Sequence, residues 1–569
     1  MSLRVACAGI DEIDFRDPIV TLRARSLVEA ERALAEAERA LADGYWIAGY
    51  LNYALGSAFH DLPVDAAWPL LAIGVFERPL PRESNGAEIE PFAPPLPLFT
   101  EPGYERAIEA IVEAIRDGEV YQVNYCAPFH FAWSGDPYAL WSAIAARTDA
   151  RYQAFVQDEE RYALSWSPEL FLRFEGDTLV ARPMKGTAAL DRCDELLNEK
   201  NRAENLMIVD VLRNDLHRLG ARVETERLLE IERYPTFATM TSTLRADLGR
   251  SSTLAEIFAA TFPCASVTGA PKRAAMEYIA RLEATPREIY CGSIGYLAPE
   301  RRGWWNVAIR TVQSDAASAC VRVGGGILYD SQATDERSEI DTKLHFLREA
   351  ARFELWETLA SDASDATIEL HLQRLASAAQ RLRIPIDLDA VRASIDDARS
   401  SATMPTLLRV RLENRGAFSL HRAPLERPEG IDIAISPTRV RSDDPWLGIK
   451  SSYRPAHERA ATHAKNTGCF DALLANERGE FTEGSRTNLF IRRGGRLLTP
   501  PLEAGLLPGI LRATLLAEGS AEEATLRAHD LAGAEAIYLG NSARGLLRVR
   551  SIRLATDVEI SRGSSQTYR

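Results

Sequence analysis

The feature that most limits how this chain can fold is a change of sequence pattern near residue 350 with no linker to accompany it. Before that point, helical stretches carrying several ionisable residues are interleaved with extended, Gly-containing segments. From Phe353 the chain reads FELWETLA, then a helical HLQRLASAAQRLRI, then strands such as TLLRVRLE. Its 569 residues suffice for three to five ordinary domains or two large ones. The abrupt change favours two directly fused modules, 1–350 and 351–569. No fixed-period repeat is visible, and the short Pro-rich PFAPPLPLF from Pro91 reads as the end of an N-terminal subregion.

Composition excludes several classes. With 46% hydrophobic and 26% charged residues the chain is built to bury cores, which rules out a disordered or collagen-like protein. Lys plus Arg number 67 against 81 Asp plus Glu, a net charge of −14 with interspersed signs, so the basic field needed to bind a phosphate backbone is missing and no nucleic acid is expected. No apolar run reaches the roughly 18–20 residues of a membrane span, and the start meets acids too early for a signal peptide, so the expectation is a cytoplasmic protein without a membrane partner. The seven cysteines contain no CxxC and read as reduced, packed thiols.

Helical spacing predicts a helix over 26–44 ended by Gly44, then aromatic YWIAGYLNYAL with strand character. A second helix over ERAIEAIVEAIRDG carries Ile108, Ile111, Val112 and Ile115 on one stripe, followed by extended EVYQVNYCAPFHF. The stretch 195–220 reads as one long helix. Another, from about Gln332 to Glu349, sets Glu336, Glu339 and Lys343 on one face. Trp46 and Tyr50 read as core aromatics.

Nine stretches of the first module occur in the order of a known family: GEVYQVN, SPELF, RPMKGT, AENLMIVDVLRND, SVTGAPK, CGSIGY, NVAIRT, VGGGILYDS and ERSEIDTK, across about 104–345. Any one of them is weak. Together they resemble the chorismate-utilising enzymes, the family of anthranilate synthase component I, aminodeoxychorismate synthase component I and isochorismate synthase. The parts suit a small dianionic ring. Backbone N–H groups from Gly324 to Gly326 can approach a carboxylate closely, Arg310 can pair with one bidentately, and Tyr296 can add a hydroxyl. Gln122, Thr187, Ser266 and Lys272 complete the substrate-binding set implied by the resemblance. Glu204, Glu336 and Glu339 alone would read as solvated helix faces; within this set they are the implied oxygen ligands of Mg2+.

Two positions choose the reaction within the family. Isochorismate and salicylate synthases carry a lysine base where this chain has Gln122, which argues against water as nucleophile. Anthranilate synthases carry alanine where this chain has Lys185, so Lys185 resembles the nucleophilic lysine of aminodeoxychorismate synthases. To attack, that lysine must be unprotonated, which asks for partial desolvation and nearby cations such as Mg2+, Lys272 and Arg310. Glu169 in SPELF matches the family acid that protonates the departing hydroxyl. A histidine that the family often has near the ring falls on Thr239. No glutaminase signature is present, so a separate glutamine amidotransferase subunit supplying ammonia is implied.

The second module carries HLQRL, LGIKSSYR, NERGEFTEGSRTNLF, GLLPGILR and YLGNSARGL. In this order they resemble the fold-type IV pyridoxal 5'-phosphate enzymes, which include branched-chain aminotransferases and aminodeoxychorismate lyase. The resemblance implies Lys450 as the Schiff-base lysine and Glu483 as the carboxylate facing the pyridine nitrogen. Arg374, the backbone N–H groups of Ile510 and Leu511, and Ser542 would hold the phosphate. Standalone relatives carry roughly twenty further residues before the FETLA-like segment. A homodimer through this module is also implied. The fold expected is therefore a mixed α+β and α/β two-module chain: an anthranilate synthase component I-like β-sandwich-type unit, then a fold-type IV unit. The function expected is two-step synthesis of 4-aminobenzoate from chorismate. The competing enzyme reading is an anthranilate-type synthase fused to a class IV aminotransferase, and the non-enzymatic one is a degenerate scaffold for a glutaminase.

Overall fold

The computed structural model describes residues 3–83, 92–133, 135–188, 190–233, 238–248, 252–315, 319–553 and 559–561. The chain forms two units of mixed α/β character: Met1–Glu90 with Pro97–Ala350, and Pro91–Leu96 with Ala351–Arg569.

The first unit is built on two large, mainly antiparallel sheets. In one, Leu3–Gly9 pairs with Tyr152–Asp158, which pairs with Arg161–Ser167. The sheet continues through Thr311–Ser314 and Ala319–Ile327 to Gln122–Trp133. The other runs from Val20–Ala24 through Leu71–Phe76, Trp46–Leu51, Ser293–Ala298, Arg302–Asn306, Leu170–Glu175 and Thr178–Arg182 to Ala238–Asp247. Alternate residues Leu3, Val5 and Cys7 of the first sheet share one apolar cluster with Ala48, Tyr50, Ile294 and Tyr296 of the second. That is the period-2 pattern of two sheets packed through their inner faces.

Local chemistry explains most element boundaries. Ser26 caps the helix Leu27–Ala42 by accepting from the Glu29 N–H, and Gly44 follows at φ +89°, a conformation that favours glycine. Thr100 caps Glu101–Arg116 in the same way. Three expectations are corrected. YWIAGYLNYAL is a strand only to Leu51, because the Asn52 side chain accepts from Ala54 N and starts the helix Tyr53–Phe59. The stretch 195–220 is a 3-10 turn, Leu190–Leu197, followed by the helix Glu199–His217, since the Asn198 side chain caps the latter. The Pro-rich stretch is a largely buried strand, Phe92–Pro97, because fixed proline φ values suit extended backbone.

The second unit has a three-stranded antiparallel sheet, Glu354–Ala360, Thr406–Glu413 and Phe418–Pro424. A larger mixed sheet has Gly430–Val440 parallel to both Asp471–Asn476 and Gly545–Arg553. Its core holds Ile431, Ile433, Leu473, Leu489, Leu539 and Leu547. All seven cysteines are free thiols. Among the described residues no helix is long and apolar enough to cross a membrane.

Candidate functional sites

In the first unit the Gly-rich strand Ala319–Ile327 brings chemistry together. It pairs Gly324 with Cys126 and Gly326 with Asn124, so close to the neighbouring strand that a Cβ at Gly324 would collide with the Tyr125 carbonyl. A Cβ at Gly326 would collide with the Gln122 amide and lie 3.4 Å from Lys185 Nζ. Gln122 is 1% exposed, and both its amide atoms are buried without a hydrogen-bond partner. Such a group is costly unless a ligand completes it.

Lys185 lies on the edge strand Met184–Ala188, whose pairing to Ala238–Asp247 is bulged between Lys185 and Thr187. Gly186 occupies the bulge at φ +73°, and the Thr239 hydroxyl donates to its carbonyl at 2.6 Å. Thr239 thus shapes the backbone that presents Lys185; the side chain of Thr187 lies outside the described set. Lys185 Nζ donates to the Ser266 carbonyl at 3.2 Å, while the Ser266 hydroxyl donates to Glu169 at 2.6 Å. Glu169 is 3% exposed. Burial pushes its carboxyl up to about 7, against the pull of the Ser266 bond and Lys185.

Other placements differ from the expectation. Around Gly325 lie Glu336, Glu339 and Lys343. Lys343 Nζ pairs with Glu339 at 2.8 Å and donates to the Gly324 carbonyl at 2.7 Å, while Glu336 accepts from Ser331. Burial works against the Lys343 charge, but Glu339 and Glu336 hold it above the ordinary lysine range. Among the described residues no three His, Cys, Asp or Glu side chains converge to hold a metal. Glu336 and Glu339 do lie together beside Gly325, with Lys343 of the same helix against Glu339 and the Gly324 carbonyl. Lys272 is likewise committed: its buried ammonium pairs with Asp215 at 2.7 Å and donates to the Thr261 carbonyl. Tyr296 donates to Asp11 at 2.7 Å and packs beside Trp46 and Phe15. Tyr50 is in that core, with its hydroxyl on Asp158. The Arg310 guanidinium lies 5.9 Å from the Phe346 ring centroid.

In the second unit, Lys450, Glu483, Arg374, Ile510 and Ser542 line one cavity of about 300 Å³. The Leu511 side chain packs in the apolar cluster with Phe490. Lys450 is fixed by its carbonyl, which accepts from Trp356 N at 2.9 Å. Burial lowers its amine to about 8, with Arg374 and Arg454 adding to the effect and Glu357 opposing it. The helix Ile510–Ala517 opens on the cavity from Gly509 with no side-chain cap, and a Cβ at Gly509 would collide with Asn488. An uncapped helix N-terminus, a glycine at closest approach, Arg374 and Ser542 suit a phosphate, and Lys450 suits an aldehyde. Pyridoxal phosphate fits this cavity.

Sequence reasoning missed several neighbours. Arg374 is held on Glu357 by two 2.7 Å bonds, and His371 bridges Glu357 to Ser542. Burial would raise the Glu357 carboxyl, yet Arg374 and His371 hold it far below the usual range. His371 sits in the HLQRL motif, and Glu357 in FELWETLA. Arg454 and His457, close behind Lys450, both bond Glu483; their signal was their spacing from the lysine.

Residues 90–349 match the family described as chorismate binding enzyme. Aminodeoxychorismate synthase component 1 of Escherichia coli K12 is 31% identical over 338 residues, which cover 52% of this chain and 75% of that protein. The chain belongs to the chorismate-binding enzyme family. The corresponding protein of Bacillus subtilis is 30% identical, and there the match covers 52% of this chain and 64% of that protein. Anthranilate synthase component I from Streptococcus pneumoniae shares the fold, with a TM-score of 0.51, 21% identity, and coverage of 60% of this chain and 91% of that one. This chorismate-binding chain continues into a second family: residues 358–552 match amino-transferase class IV.

Proposed function

We propose that residues 1–350 aminate chorismate to 4-amino-4-deoxychorismate and that residues 351–569 remove pyruvate from it to give 4-aminobenzoate. The product of the first module is the substrate of the second, which gives the fusion a chemical reason. The observation that carries the reading is the grouping of Lys185, Gln122, Ser266 and Glu169 beside Gly326.

In the first step the Lys185 amine attacks ring C2, both conjugated ring double bonds shift, and the C4–O bond breaks. Glu169 gives its proton to the departing hydroxyl, which leaves as water; a carboxyl near 7 is half protonated at neutral pH and suited to this. Ammonia then adds at C4, and the bond to Lys185 breaks as the double bonds return. The orphaned Gln122 amide is placed to hydrogen-bond the ring substituents and cannot act as a base for water. Glu204, Glu336 and Glu339 would be the oxygen ligands of a Mg2+ that holds the ring carboxylate, and no step is routed through it. A glutamine amidotransferase subunit is the proposed ammonia source.

In the second step Lys450 would hold the cofactor, Arg374, Ser542 and the backbone of Ile510 and Leu511 would take its phosphate, and Glu483 would pair with its ring nitrogen. The bound cofactor supplies an electron sink. Lys450 removes the proton from the ring carbon bearing nitrogen, the electron pair forms the aromatic bond, and the adjacent C–O bond breaks to release enolpyruvate, which is protonated to pyruvate. The test is purified protein with chorismate, Mg2+, ammonium and pyridoxal phosphate, with products separated by chromatography. We expect 4-aminobenzoate and pyruvate in equal amounts; anthranilate would overturn the reading.

A further inference from the structure

The Ser542 hydroxyl lines the cavity where a phosphate would sit, but its hydrogen is already in use. Glu357 is ionised and can only accept, and His371 Nδ1 lies 2.6 Å from its Oε2, so the His371 ring hydrogen sits on Nδ1. Burial, with Arg374 and Lys450 adding to it, holds this imidazole below its ordinary range against the pull of Glu357, which makes it neutral before a ligand binds. His371 Nε2 is then an acceptor, and the Ser542 hydroxyl, 2.8 Å away, donates to it. Turned this way, Ser542 offers a phosphate only lone pairs.

The charges around the cavity show the same shortfall. A phosphate monoester, with a second ionisation near pH ~6, is close to a dianion at neutral pH. Arg374 faces it with a shared charge: Nε and Nη2 each donate to Glu357 at 2.7 Å, and Nη1 donates to the Pro508 carbonyl at 3.0 Å. The N-terminus of the helix Ile510–Ala517 adds about half a positive charge. One further unit of charge and one further donor are needed.

We propose that His371 is a positioning residue for the cofactor phosphate: as the phosphate enters, His371 Nε2 takes a proton from solvent and donates to Ser542, whose hydroxyl hydrogen turns to the phosphate. The inference rests on the cavity taking pyridoxal phosphate and is independent of which reaction follows. Both partners of the imidazolium are already within hydrogen-bond distance, so only hydrogens move. Glu357 then stands between two cations, Arg374 and His371, and the bound dianion gains the charge that Arg374 alone does not supply.

Two measurements on the full chain test this. The first is 15N NMR of histidine-labelled protein, with His371 identified as the signal displaced in Ser542→Ala. We expect one protonated and one unprotonated ring nitrogen before ligand is added, and both in the protonated range with pyridoxal phosphate bound. The second is the affinity for pyridoxamine phosphate, which has the same phosphate but no aldehyde to react with Lys450. Uptake of a proton makes the dissociation constant rise with pH, by about tenfold per unit more in wild type than in His371→Gln, whose amide can donate to Ser542 at every pH. Pyridoxamine, without the phosphate, should show no such difference. An unprotonated His371 nitrogen in the loaded protein overturns the proposal, and this decides even if His371→Gln does not fold. Equal pH slopes in the two proteins overturn it as well. A chain that binds neither phosphate compound overturns the cofactor reading itself, whereas one that protonates His371 and forms no 4-aminobenzoate supports the His371 assignment and overturns the lyase reading alone.

Discussion

Each unit pairs a lysine with buried carboxyl groups, and the two treat them in opposite ways. In the first, Glu169 is buried with a hydroxyl as its closest donor, and burial carries it up to about 7. In the second, Glu357 is buried just as deeply but has a guanidinium at 2.7 Å, which keeps it ionised well below the usual carboxylate range. Burial alone favours the neutral form; a cation within hydrogen-bond reach reverses it. The first site is thereby equipped to give a proton, and the second to hold charge in place around Lys450.

The sharpest way to break this comparison is to remove each lysine. Lys450→Ala should lose cofactor absorbance and slow pyruvate release by about 10³-fold or more, while chorismate is still consumed. Aminodeoxychorismate should then accumulate and be converted by an added standalone lyase. Lys185→Ala should show the reverse, abolishing chorismate amination and leaving conversion of supplied aminodeoxychorismate intact. If either variant loses both activities while folded by circular dichroism, the two sites are not independent.

The pH profiles sharpen the contrast. Glu169 is raised, so its proton is present at low pH and lost through about pH 7. The first step should then fall roughly tenfold per unit above that pH. Lys450 is lowered, so its free amine is gained as pH rises through about 8, and cofactor uptake by the cofactor-free protein should increase up to that point and level off. A first step that is flat from pH 6 to 9 would remove Glu169 as the acid.

Two smaller effects test charged residues of the first unit. Lys272→Met leaves Asp215 buried without its partner and should cost about 3–5 kcal/mol in denaturant unfolding. A stable variant with weakened chorismate binding would return Lys272 to the substrate. Glu204→Gln and Glu339→Gln should each raise the Mg2+ needed for the first step and leave the second unchanged. A requirement that moves in neither variant would put the metal elsewhere.

Much of the molecule was legible in the chain. Gly44 and Gly118 announced helix ends, because capping is chemistry between near neighbours. Gln122, Lys185, Ser266 and Gly326 in one unit, and Arg374, Lys450, Glu483 and Ser542 in the other, were named from motif order and do lie together. Where reading by motif went astray, the cause was a competing partner far along the chain. Lys272 found Asp215 on another helix, and Tyr296 found Asp11. The sequence by itself pointed to two fused modules and to Lys185 and Lys450, since those depend on local spacing and residue type. Tertiary structure alone decided which charges are balanced: the cation at Glu357 and the hydroxyl at Glu169. Electrostatic state depends on what lies within about 3–4 Å in space, and chain order does not reveal that distance.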